Sequence, residues 1–368
     1  MQAIKNFLKR KDILFSARRY GIDAMGAMAQ GLFCTLLVGT ILNTLGQQFA
    51  IGFLNTPIVT LGSGEGSVSY TLGGLAQAMV GPGIAIAIGY ALHCPPLVLF
   101  SLIPVGFAAN AMGGAGGPLA VYFVAIVACE CGKLVSKETK IDILVTPIVT
   151  ILSGIGLAWL IAAPIGAAAG SVGDAVKWAT EQQPLIMGIL VSAIIGIALT
   201  LPISSAAICA ALGLTGLAGG AAVAGCCAQM VGFAVMSFRE NRWGGLVAQG
   251  IGTSMLQMPN IVKNPRIWIP PTLASMITGP LATCLFRLEM NGSPVSSGMG
   301  TCGFVGQIGV YTGWVSDVAA GTKAAITAMD WVGLALICFV LPALLTWVIS
   351  LPLRKWGWIK ENDLKLDL

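Results

Sequence analysis

Only about one residue in ten of this 368-residue chain is charged, and that scarcity decides its solvent. A water-soluble domain carries about a quarter charged residues to wet its surface. With 56% hydrophobic residues and a mean hydropathy of +0.86, this chain has no polar shell, so lipid must face most of its exterior. Many of its 48 glycines interrupt apolar runs, where they let membrane helices approach closely. The net charge of +5 does not indicate nucleic acid, because the basic residues are segregated along the chain. The ten cysteines fall mostly in apolar segments and read as small hydrophobes rather than as a disulfide framework. Cys129 and Cys131 have no second ligand pair for a metal.

The pattern predicts an all-α integral membrane protein of about ten transmembrane helices, with two re-entrant segments and internal repeats. Apolar runs place spans at 26–48, 70–92, 95–112, 116–135, 143–168, 184–202, 268–286 and 329–352. The run 203–238 is too long for one span and is read as two short helices turning near Gly219–Gly220. With the N-terminus in the cytoplasm, seventeen of the twenty Lys and Arg fall on the inner side, leaving Lys177, Arg287 and Lys323 outside. Both termini are then cytoplasmic. Residues 1–24 read as a basic amphipathic segment on the cytoplasmic leaflet, 25–352 as the permease-like domain, and 353–368 as a short tail. No cleavable leader is evident, because the first apolar stretch is too long for one.

Two stretches are apolar yet too rich in glycine and polar residues to span comfortably. They are 243–260, with Gln249, Gln257 and Asn260, and 296–314, with Gln307 and five glycines from Gly298 to Gly309. The charge pattern makes the first enter from inside and the second from outside, a transporter device. Internal echoes point the same way. Thr56–Thr60 recurs as Thr146–Thr150, Gly113–Gly117 resembles Gly216–Gly220, and Gln77 and Gln229 share a local setting.

Polar groups at membrane depth are costly and so are the candidate binding residues. They are Asn110 with Gly113, Gly114, Gly116 and Gly117, then Gln77, Gln229, Gln257, Asn260 and Gln307. Glutamine and asparagine amides donate and accept, which suits hydroxyl-rich solutes, although they also glue helices together. His93 lies at a helix end, Glu130 is spaced to pair with Lys133, and Asp142 is placed to cap the next helix. No phosphate loop, zinc-protease helix or nucleophile elbow is present, and no cofactor or metal site is expected.

The run Gly113–Asp142, its continuation to Pro147, and Gln229–Asn241 resemble a family of bacterial membrane proteins. These are the enzyme IIC-like components of the sugar phosphotransferase system, a family that includes toxin-regulator proteins related to the perfringolysin regulator. The resemblance spans about Gly21 to Pro352. It implies a dimeric permease of the bacterial cytoplasmic membrane that moves a small polar solute, with carbohydrate among the candidates. Phosphoryl transfer would need separate IIA and IIB proteins, so the chain itself is expected not to be an enzyme. The Asn-Ile-Thr-Glu sugar-binding word of better-known IIC proteins is absent. The alternative is a membrane sensor that signals to a cytoplasmic partner through the basic N-terminal segment and the Lys133–Lys140 loop.

Overall fold

In a computed structural model the protein is described over residues 2–62 and 67–366, with backbone alone for 2–5 and 48. It is almost wholly helical; among the described residues the strands are one short hairpin, β1 (Val59–Leu61) against β2 (Val68–Tyr70). The chain divides into two compact units, residues 1–168 and 169–368. A Ser-Gly pair follows each Thr-Pro-Ile-Val-Thr echo, and the first of them, Ser63–Gly64, lies outside the described residues.

The first unit opens with α1 (Gln2–Arg10), followed by α2 (Arg19–Gln47). Helices α3 (Leu72–Ala78) and α4 (Val80–Ala91) are bent 54° at Met79. Next come α5 (Pro96–Gly113) and α6 (Gly117–Val135). Gly114, at φ 50° and ψ −123°, turns α5 back on α6, so Val98 meets Gly132 at one end and Gly113 meets Ala120 at the other. Only glycine adopts that backbone without strain. The helix α7 (Asp142–Thr180) has 39 residues, about 60 Å, roughly twice the thickness of a bilayer core. Its Ile143, Leu152, Trp159 and Leu160 are exposed apolar side chains, as expected of a lipid-facing helix.

In the second unit α8 (Pro184–Thr200) is followed by α9 (Ser205–Ala211), α10 (Gly216–Met236), α11 (Phe238–Val247), α12 (Met258–Lys263) and α13 (Ile269–Pro280). Then come α14 (Val305–Ala319) and α15 (Ala328–Lys355). The hub is α10, whose most apolar window is 94% buried. Small residues permit this: a Cβ on Gly225 would run into the Ser192 carbonyl of α8, and Gly232 faces Thr346 of α15. Gly219 and Gly220 lie inside α10, not at a turn; the break predicted there falls instead at Gly213, with φ 59°. Gly220 is small because it abuts the Leu288 backbone, which is a packing requirement that resembles a turn signal in sequence.

Contacts along α10 show how the other elements run. Ser192 meets Gly225 and Thr200 meets Gln229, so α8 is parallel to α10, and the chain returns between them through the single short helix α9. Gly216 pairs with Met290, Gly300 packs on Cys226, and Gly313 lies against Asn291. The chain from 291 to 313 therefore dips to the middle of α10 and comes back to the same end. From the other end, residues 238–263 reach Ala234 and Thr200, then return to where Asn264 binds the Trp358 carbonyl at 2.8 Å. The tips of these two broken segments, 248–252 and 302–304, touch. Among the described residues five helical runs, or six with the bent pair, are long and apolar enough to cross a membrane, and one of them, 96–135, contains the α5–α6 hairpin.

The basic N-terminal segment is tied down by charge. Arg10 and Lys11 pair with Glu138, and Arg19 with Asp12. Lys133 is buried, donating to the Leu92 carbonyl at 2.5 Å and pairing with Glu130 at 3.5 Å, as its spacing predicts. His93 is exposed beside Asp12. Asp142 accepts from the Thr146 hydroxyl and the Lys137 amide rather than from first-turn amides, so it staples the preceding loop to α7. The hydrogen bond from Arg19 holds the Asp12 carboxyl below its ordinary range, with burial opposing; hydrogen bonding from Lys11 does the same for Glu138. A lowered folded-state value gives stability that is present above the unfolded pKa of about 4 and lost as pH falls through the folded value.

Two outcomes follow. Gly225→Ala should force α8 away from α10, cost about 1–3 kcal/mol, and lower the thermal unfolding midpoint of the detergent-purified protein; an unchanged midpoint contradicts the close approach. Residues 6–18 should gain hydrogen exchange as pH drops below about 4, and Asp12→Asn should reproduce part of that gain at neutral pH.

Candidate functional site

Membrane-embedded amides must find partners, and the structure gathers the predicted ones into separate groups within each unit. In residues 1–168 Gln77 sits beside the α3–α4 bend. Its amide donates to the Thr40 hydroxyl at 2.8 Å, and its carbonyl accepts from Asn43 at 3.2 Å. Thr71 donates to Asn43 at 2.8 Å while capping α3. Thr40, Asn43 and Thr71 were missed among the sequence candidates, although a polar residue inside an apolar run was the available signal. Asn110, half-buried on α5, makes no side-chain hydrogen bond among the described residues.

The glycine run beside Asn110 is the α5–α6 turn. Gly114 is exposed. Gly113 and Gly116 are buried against α7, where a Cβ on Gly116 would stand 2.7 Å from the Ile165 carbonyl. Gly117 starts α6 against Asn110, leaving 2.7 Å between its would-be Cβ and the Asn110 carbonyl. These glycines hold the Asn110 amide at a helix hairpin, with α6 beginning beside it.

In residues 169–368 the deepest polar group centres on Gln229, wholly buried in α10. Its carbonyl accepts from Trp268 Nε1 at 3.0 Å and lies 3.4 Å from the Thr200 hydroxyl; its amide donates to Thr272 at 3.2 Å. Thr200 shares a 2.8 Å hydrogen bond with Ser254, near the tip of the 238–263 segment. Four elements thus deliver polar atoms to one place, and the backbone there is free of continuous helix because Thr253 is extended. Thr200, Ser254, Trp268 and Thr272 are additions that only the fold reveals, since hydroxyl residues are common in this sequence.

Gln257 and Asn260 are also buried but engage a different partner. Gln257 Nε2 donates to Gln249 at 2.8 Å and to the Leu364 carbonyl at 3.0 Å, while Asn260 Nδ2 donates to the Lys365 carbonyl at 2.8 Å. Asn241 clasps the same tail segment, donating to the Leu364 carbonyl and accepting from the Leu366 amide. These amides therefore hold the C-terminal tail, and Leu364 is wholly buried by them. Gln307 lies on α14, its amide 3.2 Å from Cys227 Sγ and its buried carbonyl oxygen without a hydrogen-bond partner among the described residues. Among the described residues no cluster of three or more His, Cys, Asp or Glu could hold a metal ion.

The donors and acceptors gathered round Gln229 are amides, hydroxyls and an indole N–H, which is the chemistry that suits an uncharged, hydrogen-bonding solute. Gln257→Ala should strip Gln249 of its donor and the Leu364 carbonyl of one of its two, leaving Asn241 the other, at a cost of about 1–3 kcal/mol. Faster hydrogen exchange of residues 359–366 is the expected readout, and unchanged protection there would show that the clasp does not depend on Gln257.

Set against known proteins, residues 22–366 match the family model described as "Phosphotransferase system, EIIC". No curated protein and no solved structure matches.

Proposed function

The chain belongs to the phosphotransferase-system EIIC family, and from that premise we propose that it translocates a small polar solute, a carbohydrate in the first instance, past the Gln229 cluster. EIIC proteins are the membrane transport components of their systems, and phosphoryl transfer is the work of separate IIA and IIB proteins. The observation that carries the proposal is the position of Gln229, wholly buried mid-helix beside the tip of a discontinuous segment. Irregular backbone at membrane depth is tolerated where it lines protein or a wet cavity, and it leaves peptide groups available to a passing solute. Asn110 with its glycine turn, Gln77 and Gln307 are further proposed contacts, and the amides of Gln257 and Asn260 would become available if the tail moved.

On this reading the segments 238–263 and 291–319 are re-entrant from opposite faces. Ten passes, with both termini cytoplasmic, are retained if α9 and its flanking loops make the return between parallel α8 and α10. At seven residues α9 rises about 10 Å, so that return is not a full helical span. Residues 1–24 would lie on the cytoplasmic leaflet, 25–352 form the permease, and a homodimer is the proposed assembly.

A second reading, ligand sensing without transport, draws support from one contact. Arg10 and Lys11 bind Glu138, so the N-terminal segment and the charged loop make one joined surface. That surface suits a IIB-type protein or a regulator.

Counterflow of labelled hexoses into proteoliposomes separates the readings. A permease accumulates label, and Gln229→Ala should slow the initial rate about tenfold or more, equivalent to about 1.4 kcal/mol. Hexose binding without counterflow favours the sensor. Wild-type counterflow by Gln229→Ala would remove Gln229 from the pathway.

A further inference from the structure

At the start of α10 the chain after α13 runs extended, and Met290 exchanges two 3.0 Å backbone hydrogen bonds with Gly216. Alternate residues of an extended segment face opposite ways. Leu288 and Met290 enter the core beside Val310 and Trp314, so Glu289 and Asn291 face the other side, where Arg287 joins them. There they line a cavity of about 510 Å³, completed by Asp317, Lys323 and Asp330. That volume lies within the range of about 300–1,000 Å³ usual for small-molecule sites.

Some of these groups are committed to the frame. Asn291 donates to Asp317 Oδ2 at 2.8 Å and accepts from the Gly216 amide at 3.1 Å. Lys323 pairs with Asp330, which also completes the capping box of Thr327. Other groups stay open. Arg287 has no hydrogen-bond or ion-pair partner among the described residues, although Glu289 and Asp317 line the same cavity. Among the described residues Glu289 has one long contact, 3.5 Å from Asn291, and no hydrogen bond engages Asp317 Oδ1. Arg287 holds a left-handed φ of 47° where the helical turn 281–285 ends, with the Leu288 amide donating back to the Ala282 carbonyl at 2.8 Å.

Open guanidinium donors beside open carboxylate acceptors match groups that donate and accept at once, which is the property of hydroxyls. A free anion or cation would be repelled by half of the lining. Phe286 and Trp314 add an apolar wall suited to C–H faces. We infer that this cup is a second binding site, for a small neutral polyhydroxylated solute, distinct from the Gln229 cluster. Thirteen helical residues separate Gly216 from Gln229, about 20 Å along α10. The cup lies at the end of α10 away from the basic Arg239–Arg242 turn, and so on the outer face if charge sets orientation. It can receive a solute whether or not the chain transports it.

The test is hydrogen exchange by mass spectrometry on the full-length protein in micelles, with D-glucose, D-galactose and D-mannitol as probes and L-alanine as a zwitterionic control. At least one sugar or polyol should slow exchange in 286–291 and 314–323. Arg287→Gln and Asp317→Asn should each weaken that protection about tenfold in midpoint concentration, whereas Gln229→Ala should leave it in place. Asparagine at 317 can still accept from Asn291, so loss of protection there reports binding rather than unfolding. The inference is overturned if no sugar or polyol protects these segments, if L-alanine alone does, or if protection survives both cup variants. Protection confined to the surroundings of Gln229 would overturn the cup while supporting the transport reading.

Discussion

The second unit depends on burying one helix from every side. α10 can be surrounded because its sequence, GLAGGAAVAGCCAQMVGFAVM, is almost without bulk until its last turns. In lipid there is no hydrophobic reward for bringing helices together, so association relies on close packing and on hydrogen bonds. Gly225 against the Ser192 carbonyl and Gly232 against Thr346 supply the packing. Gln229 supplies the hydrogen bonds, tying α10 to Trp268 just before α13 and to Thr272 within its first turn.

That hub makes the broken segments affordable. Residues 238–263 and 291–304 expose peptide groups that bare hydrocarbon would punish, yet they lie against α10 and against each other. Each finds its partners in protein: Ser205 donates to the Gly298 carbonyl, Ser297 to the Leu214 carbonyl, and Ser254 meets Thr200. The C-terminal tail plays a related part, its carbonyls accepting from Asn241, Gln257 and Asn260. A polar group buried this deeply is stable when satisfied and costly when not. The same groups are therefore the ones a solute could engage by exchange.

How much was legible in advance varied with the physical signal. Helices α5 and α6 and the turn between them were evident from apolar runs bracketing Gly113–Gly117. Glycine and glutamine in apolar surroundings marked 243–260 and 296–314; the backbone is broken at 248–257 and 294–304, whereas 305–314 is regular helix in α14. Gly219–Gly220 misled, because a glycine demanded by the Leu288 backbone looks identical in sequence to one that ends a helix. The echoes misled in a similar way. Thr56–Thr60 runs into β1, whereas its copy Thr146–Thr150 lies within α7. Gln257 and Asn260 were recognised as buried amides, but their partner is the backbone of a tail about a hundred residues onward.

What the sequence determined by itself was the solvent and the element type, because charge scarcity and apolar length are sums over neighbouring residues. Membership of a membrane transport family was likewise carried by contiguous words. Tertiary structure alone decided the direction of α8 relative to α10, the meeting of the two broken tips, and the open Arg287 beside Asp317. Those depend on contacts between residues far apart in the chain. At such contacts the free energy lies in one close approach or one satisfied amide, and no local pattern records which partner provides it.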